Sequence, residues 1–163
     1  MKTISLQSDN IGGLYRVVAF PPASLARVRT VLRNNRLRRY LETTNPDNII
    51  DIPVLPDDSY AWNEEHGRDE NGDYYDVNIS GIIPRINIDA DPVIEELQLG
   101  EWVVAAEDQN GELYLSGFEP LTRMVFATTA TTGTLHADRN GTPFTFTCRQ
   151  RKKSILLDDW NIR

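Results

Sequence analysis

The chain has 163 residues, of which 40% are hydrophobic and 25% charged, and its formal net charge is −7. These ordinary values exclude global disorder and predict one globular domain over residues 1–163. Its one cysteine excludes an internal disulfide and a zinc-finger-type site, and no apolar run approaches the roughly 18 residues that a membrane span requires. Residues 1–9 lack the apolar run of a signal peptide, which predicts a protein kept in the cytosol, or packaged into a particle, without membrane contact.

Two periodicities follow each other near the N-terminus. Residues 14–20 are rich in β-branched and aromatic side chains, which predicts a strand that ends at a proline pair. In residues 23–42 apolar side chains recur at helical intervals, which predicts a helix. An equal alternative is a short helix to about Leu32, a turn at the Asn34-Asn35 pair and then an extended segment.

The middle of the chain is predicted to contain two strands, an acidic loop and a short helix. Residues 49–56 contain two prolines, which predicts a strand at a sheet edge. Residues 57–73 are acidic and include an Asn-Gly pair, so they are predicted to form a long exposed loop or a hairpin tip. Residues 74–88 alternate as a strand does, and residues 91–97 fit a helix with Asp91 as its cap and a proline at its first position.

The C-terminal half has the pattern of an antiparallel sheet. Asn-Gly pairs suit the positive φ of hairpin turns, so Asn110-Gly111 and Asn140-Gly141 are predicted turns. The tail, residues 151–163, is predicted to be extended and either to close a sheet edge or to reach a neighbour. The predicted strands cover residues 102–106, 113–117, 121–128 and 144–150. The predicted fold class is therefore α+β, mainly antiparallel β-sheet as a sandwich or partly open barrel, with one or two short helices.

Charge is unevenly distributed along the chain. Residues 1–46 hold eight Lys/Arg and two acids, residues 47–108 hold two Arg and seventeen acids, and residues 109–163 hold seven Lys/Arg and five acids. Complementary patches steer association, so copies with opposite poles can stack head to tail. The alternative is that the segments fold against each other and their charges partly cancel within one monomer.

Six arginines fall within thirteen residues and are candidates for partner contact. Nucleic-acid affinity begins with such positive surfaces. The sequence pI of about 4.8 and the lack of a recognised nucleic-acid motif argue against that partner. The alternatives are that the arginines form a solvated helix face or contact the acidic middle segment. The six are Arg27, Arg29, Arg33, Arg36, Arg38 and Arg39. Two tryptophans outside the predicted core, Trp62 and Trp160, are further partner-contact candidates, since aromatic side chains often anchor interfaces.

No residue pattern indicates catalysis or a bound metal. Residues 69–76 offer carboxylates at short intervals, but Gly72 stands fourth where a calcium loop needs it sixth, and a hairpin turn explains the same residues. Cys148 could act as a nucleophile only with His66 or His136, and its place in an alternating strand indicates packing. Phosphate-binding and serine-elbow motifs are also missing. The prediction is a protein that is not an enzyme and has no cofactor.

Residues 76–150 are similar to small virion-type proteins of Bacteroidetes phages and prophages. In these, a strand ends in an Asn-Gly turn, returns to a glycine, and is followed by a Thr/Gly-rich loop, an Asp-x-Asn-Gly turn and a final strand. The chain departs from this pattern after that strand, where Cys148 to Lys153 replace an expected glycine and aromatic. The segments that carry the resemblance are Asp76–Pro84, Trp102–Ala106, Asp108–Gly111, Leu113–Gly117, Thr131–Thr134, Asp138–Gly141 and the Phe-Thr-Phe strand.

The resemblance implies a structural protein of a tail or head–tail connector that forms a ring or another oligomer. Its partners would be other copies or other virion proteins, and no catalytic residue comes with the resemblance. The alternative function is a ligand-binding β module, for example carbohydrate-binding, which a row of exposed aromatics on one sheet face would indicate. A third alternative is an enzyme with His136 beside Cys148 in a compact pocket.

Overall fold

The computed structural model describes residues 11–34, 36–44, 48–52, 54, 60–84, 88–129 and 141–161. These residues contain one α-helix, α1 (Asp91–Leu99), and a 3₁₀ turn (Pro22–Ser24). The strands are β1 (Leu14–Phe20), β2 (Leu25–Arg33), β3 (Arg36–Thr43), β4 (Ile50–Ile52), β5 (Ala61–Asp69), β6 (Gly72–Pro84), β7 (Glu101–Asp108), β8 (Leu113–Ser116), β9 (Met124–Thr128), β10 (Gly141–Gln150), β11 (Ile155–Leu157) and β12 (Asp159–Asn161). The predicted class, mainly antiparallel sheet with few short helices, is confirmed, and the large sheet is not closed into a barrel.

The strands form three layers. The central sheet consists of β4, β1, β7, β8 and β11, and the front sheet consists of β9, β10, β6 and β5. The two are joined because Glu101 and Trp102, the first residues of β7, pair with β9. The back sheet has the order β12-β3-β2, and β12 runs parallel to β3.

Residues 17–20 of β1 and 102–106 of β7 are buried on both faces of the central sheet, which explains their continuous apolar runs. Successive β1 side chains alternate between two cores, with Val17 and Ala19 in the first and Val18 and Phe20 in the second. The first core lies between the central and front sheets and includes Leu97 of α1. The second core lies between the central and back sheets. The back sheet and α1 are therefore attached to opposite faces of the central sheet.

The helix predicted for residues 23–42 is wrong, because this segment forms the β2–β3 hairpin. Val28 and Leu32 are four residues apart, an interval that places two side chains on one face of either a helix or a strand, so this spacing did not separate the two structures. The predicted turn at Asn34-Asn35 is correct at its described residue, since Asn34 adopts a positive φ of 52° between the strands.

Three other expectations are corrected or refined. Residues 61–69, placed in an exposed acidic loop or hairpin tip, form edge strand β5, whose turn into β6 uses Gly72 at φ 112°. Asp91 does not cap α1, because the helix begins at Asp91 and the preceding Ala90 makes no side-chain cap bond. The tail closes sheet edges, with β11 on β8 and β12 on β3. Gly111 forms the predicted β7–β8 turn at φ 82°, whereas Asn140 lies outside the described residues.

Candidate functional site: the basic hairpin

The six predicted arginines all lie on the β2–β3 hairpin, residues 25–43, which we call the basic hairpin. Val28 and Leu41 are directly paired across it and pack in the second core. Beyond this pair the hairpin continues to the Arg33–Arg36 pair next to the turn, and β12 pairs only with residues 40–42. The outer edge of β2 has no strand partner among the described residues. The end of the hairpin is thus held only through its base.

Cross-strand pairs share a face, which divides the arginines between two surfaces. Thr30–Arg39 and Leu32–Leu37 continue the core-facing side, because they lie two and four residues beyond Val28. The other five arginines point away from the core. The pairs on that outer face are Arg27–Glu42, Arg29–Tyr40, Val31–Arg38 and Arg33–Arg36.

Acidic side chains neutralise the base of the hairpin. Arg27 Nε donates to Glu42 Oε2 at 2.7 Å, and this hydrogen bond holds the pKa of Glu42 below its ordinary value. Arg29 lies 3.5 Å from the same carboxylate, and Arg38 Nη1 lies 2.9 Å from Asp158 Oδ1. Neither acid belongs to the acidic middle segment, which was one expected partner of the arginine cluster.

The tip of the basic hairpin, which comprises residues 32–34, 36 and 37 among those described, differs from the base. Arg33 and Arg36 stand directly opposite each other, and neither forms an ion pair with any described residue. Like charges opposite each other in a sheet are destabilising. On the other face Leu32 and Leu37 are paired and each is 66% exposed. The tip therefore combines two opposed arginines that lack an acidic partner among the described residues with two mostly exposed leucines.

A cleft of about 600 Å³ lies beneath the core-facing side of the basic hairpin. Its cations are Arg39, Lys152 and Lys153, of which Lys152 pairs with Glu119 at 3.1 Å. Apolar side chains also line it, and Leu156 among them is exposed. The cleft extends the mixed basic and apolar character of the tip onto the body of the protein. Its lining residues are Val28, Thr30, Arg39, Phe118, Lys152, Lys153, Ser154, Ile155 and Leu156.

Of the two predicted tryptophans, Trp62 is half-buried and packs within the monomer. Trp62 lies in β5, stacks on Tyr114 with ring centroids 4.3 Å apart, and donates from Nε1 to Ser116 Oγ at 3.3 Å. It connects the front sheet to the central sheet. Burial and Asp108 raise the pKa of its stacking partner Tyr114 to about 12. Trp160 lies in β12, where its backbone pairs with Leu41, and its side chain is outside what the structure describes.

A buried polar cluster lies beside Trp62, and no pattern in the sequence predicted it. Gln150 is fully buried; its Oε1 accepts from Gly117 N and its Nε2 donates to Ser154 Oγ, both at 3.0 Å. Ser154 also shares a 2.8 Å bond with Ser116 and donates its N–H to Glu64. These contacts fasten the end of β10 to the central sheet. Because the cluster's groups satisfy one another, it is a structural network.

Cys148 is a packed thiol. Burial raises its pKa to about 11, so the thiol is protonated near neutral pH. His136, which was considered as its base, lies outside the described residues. Within the described ranges, no group of three or more His, Cys, Asp or Glu side chains could hold a metal ion. The helix that the structure describes is too short and too polar to cross a bilayer.

The outer face of the front sheet is polar and carries no row of exposed aromatics among the described residues. Asn63, Asn78 and Thr147 lie side by side there in register. The one aromatic of β6 on this face, Tyr74, is covered by the Arg149 guanidinium 4.1 Å from its ring centre. The feature that would indicate a carbohydrate-binding module is therefore not found in this part of the chain.

The chain matches no protein-family model, no curated protein and no solved structure. No relative therefore assigns a role to the basic hairpin. Its function has to be inferred from its own charges, exposure and attachment.

Proposed function

We propose that this chain is a non-enzymatic structural assembly protein of the phage or prophage type, which binds further copies of itself through its basic hairpin. The observation that carries the proposal is the tip, where the Arg33–Arg36 and Leu32–Leu37 pairs are left without partners among the described residues. The similarity of residues 76–150 to virion-type proteins supplies the phage context.

The composition of the tip is that of a protein interface. Arginine is enriched at interfaces, and the most strongly buried parts of interfaces are apolar. Burying one leucine side chain fully stabilises a complex by about 1.5–3 kcal/mol. A partner that covers Leu32 and Leu37 and brings acids to Arg33 and Arg36 would gain both contributions. A monomer gains neither.

The test is size-exclusion chromatography with light scattering on the full chain at low and high salt. We expect a mass above that of the monomer in low salt, and a shift toward the monomer in high salt, because exposed charges are screened. A strict monomer at high protein concentration in low salt would contradict the proposal.

A matched pair of variants adds a test of the surface. Leu37→Ser should weaken association, whereas Ile11→Ser should not. Ile11 is a matched control because its side chain is similarly exposed, at 61%, but does not belong to the basic hairpin. Circular dichroism should show that both variants are folded. Equal association of the two variants would remove the basic hairpin from the interface.

A further inference from the structure

The acidic middle segment contains one surface that, like the tip, combines unpaired charges with exposed apolar side chains, and its charge has the opposite sign. Residues 88–101, which include α1, contain five acids and no Lys or Arg. All five are exposed, and none forms an ion pair with another described residue. They are Asp89, Asp91, Glu95, Glu96 and Glu101. We call this segment the acidic helix surface.

Apolar side chains are exposed among these acids. Ile88 is 86% exposed and Leu99 is 90% exposed, and Val93 is also exposed. The acidic helix surface therefore combines unpaired charge with exposed aliphatic groups, as the tip of the basic hairpin does. Two such surfaces of opposite sign are complementary in both respects.

The fold keeps the two surfaces apart within one chain. Leu97 fixes α1 in the first core, and its carbonyl accepts a 2.9 Å hydrogen bond from Trp102 Nε1. Val28 and Leu41 fix the basic hairpin in the second core. Strands β1 and β7 separate the two cores, so the surfaces belong to opposite faces of the central sheet. The expected cancellation of charge within one monomer does not occur between them.

We infer that the tip of the basic hairpin of one copy docks on the acidic helix surface of the next copy. The Arg33–Arg36 and Leu32–Leu37 pairs lie on opposite faces of the hairpin, so the tip meets this surface end-on. Arg33 and Arg36 then reach acids such as Glu95 and Glu96, and the leucines reach Leu99. The contact joins two different surfaces, so it is heterologous and repeats head to tail, which produces a ring if the rotation closes and a filament if it does not. This inference rests on the proposed function and names its partner surface.

Charge reversal tests the contact directly. The hairpin variant Arg33→Glu/Arg36→Glu and the helix variant Glu95→Arg/Glu96→Arg each place like charges in the contact. Each alone should associate about a hundredfold more weakly than the wild type, because like-charge contacts at an interface are strongly unfavourable. An equimolar mixture of the two variants should assemble again, since each junction then joins opposite charges.

Controls with the same change in charge separate a local contact from a general effect. Arg68→Glu/Arg151→Glu and Glu65→Arg/Glu112→Arg alter exposed residues of other surfaces and should associate as the wild type does. Masses are measured by light scattering in low salt. Recovery in the mixture also shows that both reversed variants are folded, because misfolded chains would not restore assembly.

Four outcomes overturn the inference. Reversed variants that associate like the wild type, or a mixture that stays monomeric, would leave self-association intact but assign it to another surface. A monomeric wild type would overturn the proposed function as well. Salt-dependent binding of a labelled 20-base-pair DNA that the hairpin variant abolishes, with no self-association, would make nucleic acid the partner of the arginines.

Discussion

Two long charged hairpins lie in the outer layers of the protein, and they differ in how their charged side chains are paired. In the front hairpin, β5–β6, Asp73 lies between His66 and Arg68, and Asp76 receives two hydrogen bonds of 2.7 and 2.8 Å from Arg149 of β10. At the tip of the basic hairpin, like charges oppose each other and leucines are exposed. Asp73 and Asp76 of the front hairpin are thus paired with cations within the monomer. In the basic hairpin, ion pairs are found at the base and not at the Arg33–Arg36 pair. Two hairpins that are both rich in charged residues can therefore differ in how many of those charges are left unpaired for a partner.

Truncating one side chain in each hairpin should show this difference as a difference in folding stability. Trp62→Ala removes a ring that stacks on Tyr114 and packs against the first core, and we expect a loss of about 2 kcal/mol, below the range for a fully buried tryptophan. Leu37→Ala should change stability by less than about 0.5 kcal/mol, since Leu37 is mostly exposed. Urea unfolding at a concentration where the chain is monomeric measures both. Equal losses would mean that the basic hairpin packs within the monomer as tightly as the front hairpin.

The Asp76–Arg149 pair should make part of the stability of the front hairpin sensitive to acid. The Arg149 hydrogen bonds hold the pKa of Asp76 below its ordinary value of 3.8. The unfolded chain therefore binds this proton at a higher pH than the folded chain does. The contribution is complete above the ordinary pKa and is lost as the pH falls through the lower folded pKa.

Asp76→Asn should consequently lower stability near neutral pH, and its difference from the wild type should shrink below pH 3.8. Arg149→Gln should have a similar effect, and combining the two substitutions should cost less than the sum of the single losses. Unfolding curves measured across this pH range check the prediction. A pH-independent difference would show that the charge pair does not contribute.

The sequence predicted the central and front sheets better than the back sheet for a physical reason. Residues 17–20 and 102–106 are buried on both faces, so their composition alone indicates strands. Residues 25–43 touch the core only at a few positions, such as Val28 and Leu41. Six of the other positions are arginines, whose intrinsic propensity favours a helix over a strand when they are exposed. Only pairing across the hairpin decides between the two, and pairing is not a local property of the sequence.

The candidate site was predictable as a set of residues but not as a geometry. The density of arginine identified all six members, yet their division into a neutralised base and an unpaired tip depends on the register that sets Arg33 opposite Arg36. Trp62 was predicted to lie in an acidic loop, because the sequence of edge strand β5 is mostly polar and resembles that of a loop. The buried contacts of Gln150 were missed because a glutamine at a strand end has no distinctive pattern.

The smallest expected effect is that of Arg36→Glu, which should change folding stability and association in opposite directions. Arg36→Glu replaces a like-charged pair opposite Arg33 with an opposite-charged pair, so it should stabilise the monomer by about 0.2–1 kcal/mol. The same substitution places an acid in the proposed contact and should weaken association. Urea unfolding of the monomer and light scattering in low salt measure the two effects on the same sample.

Arg29→Glu is the matched control, because it makes the same change in charge on the same face of the hairpin. Arg29 already lies 3.5 Å from Glu42, so its reversal adds repulsion and should not stabilise the monomer. A variant at Arg36 that gains stability while losing association would show that the tip is kept unfavourable for folding and favourable for binding. A variant that loses stability and associates like the wild type would show that the opposed arginines serve the monomer itself.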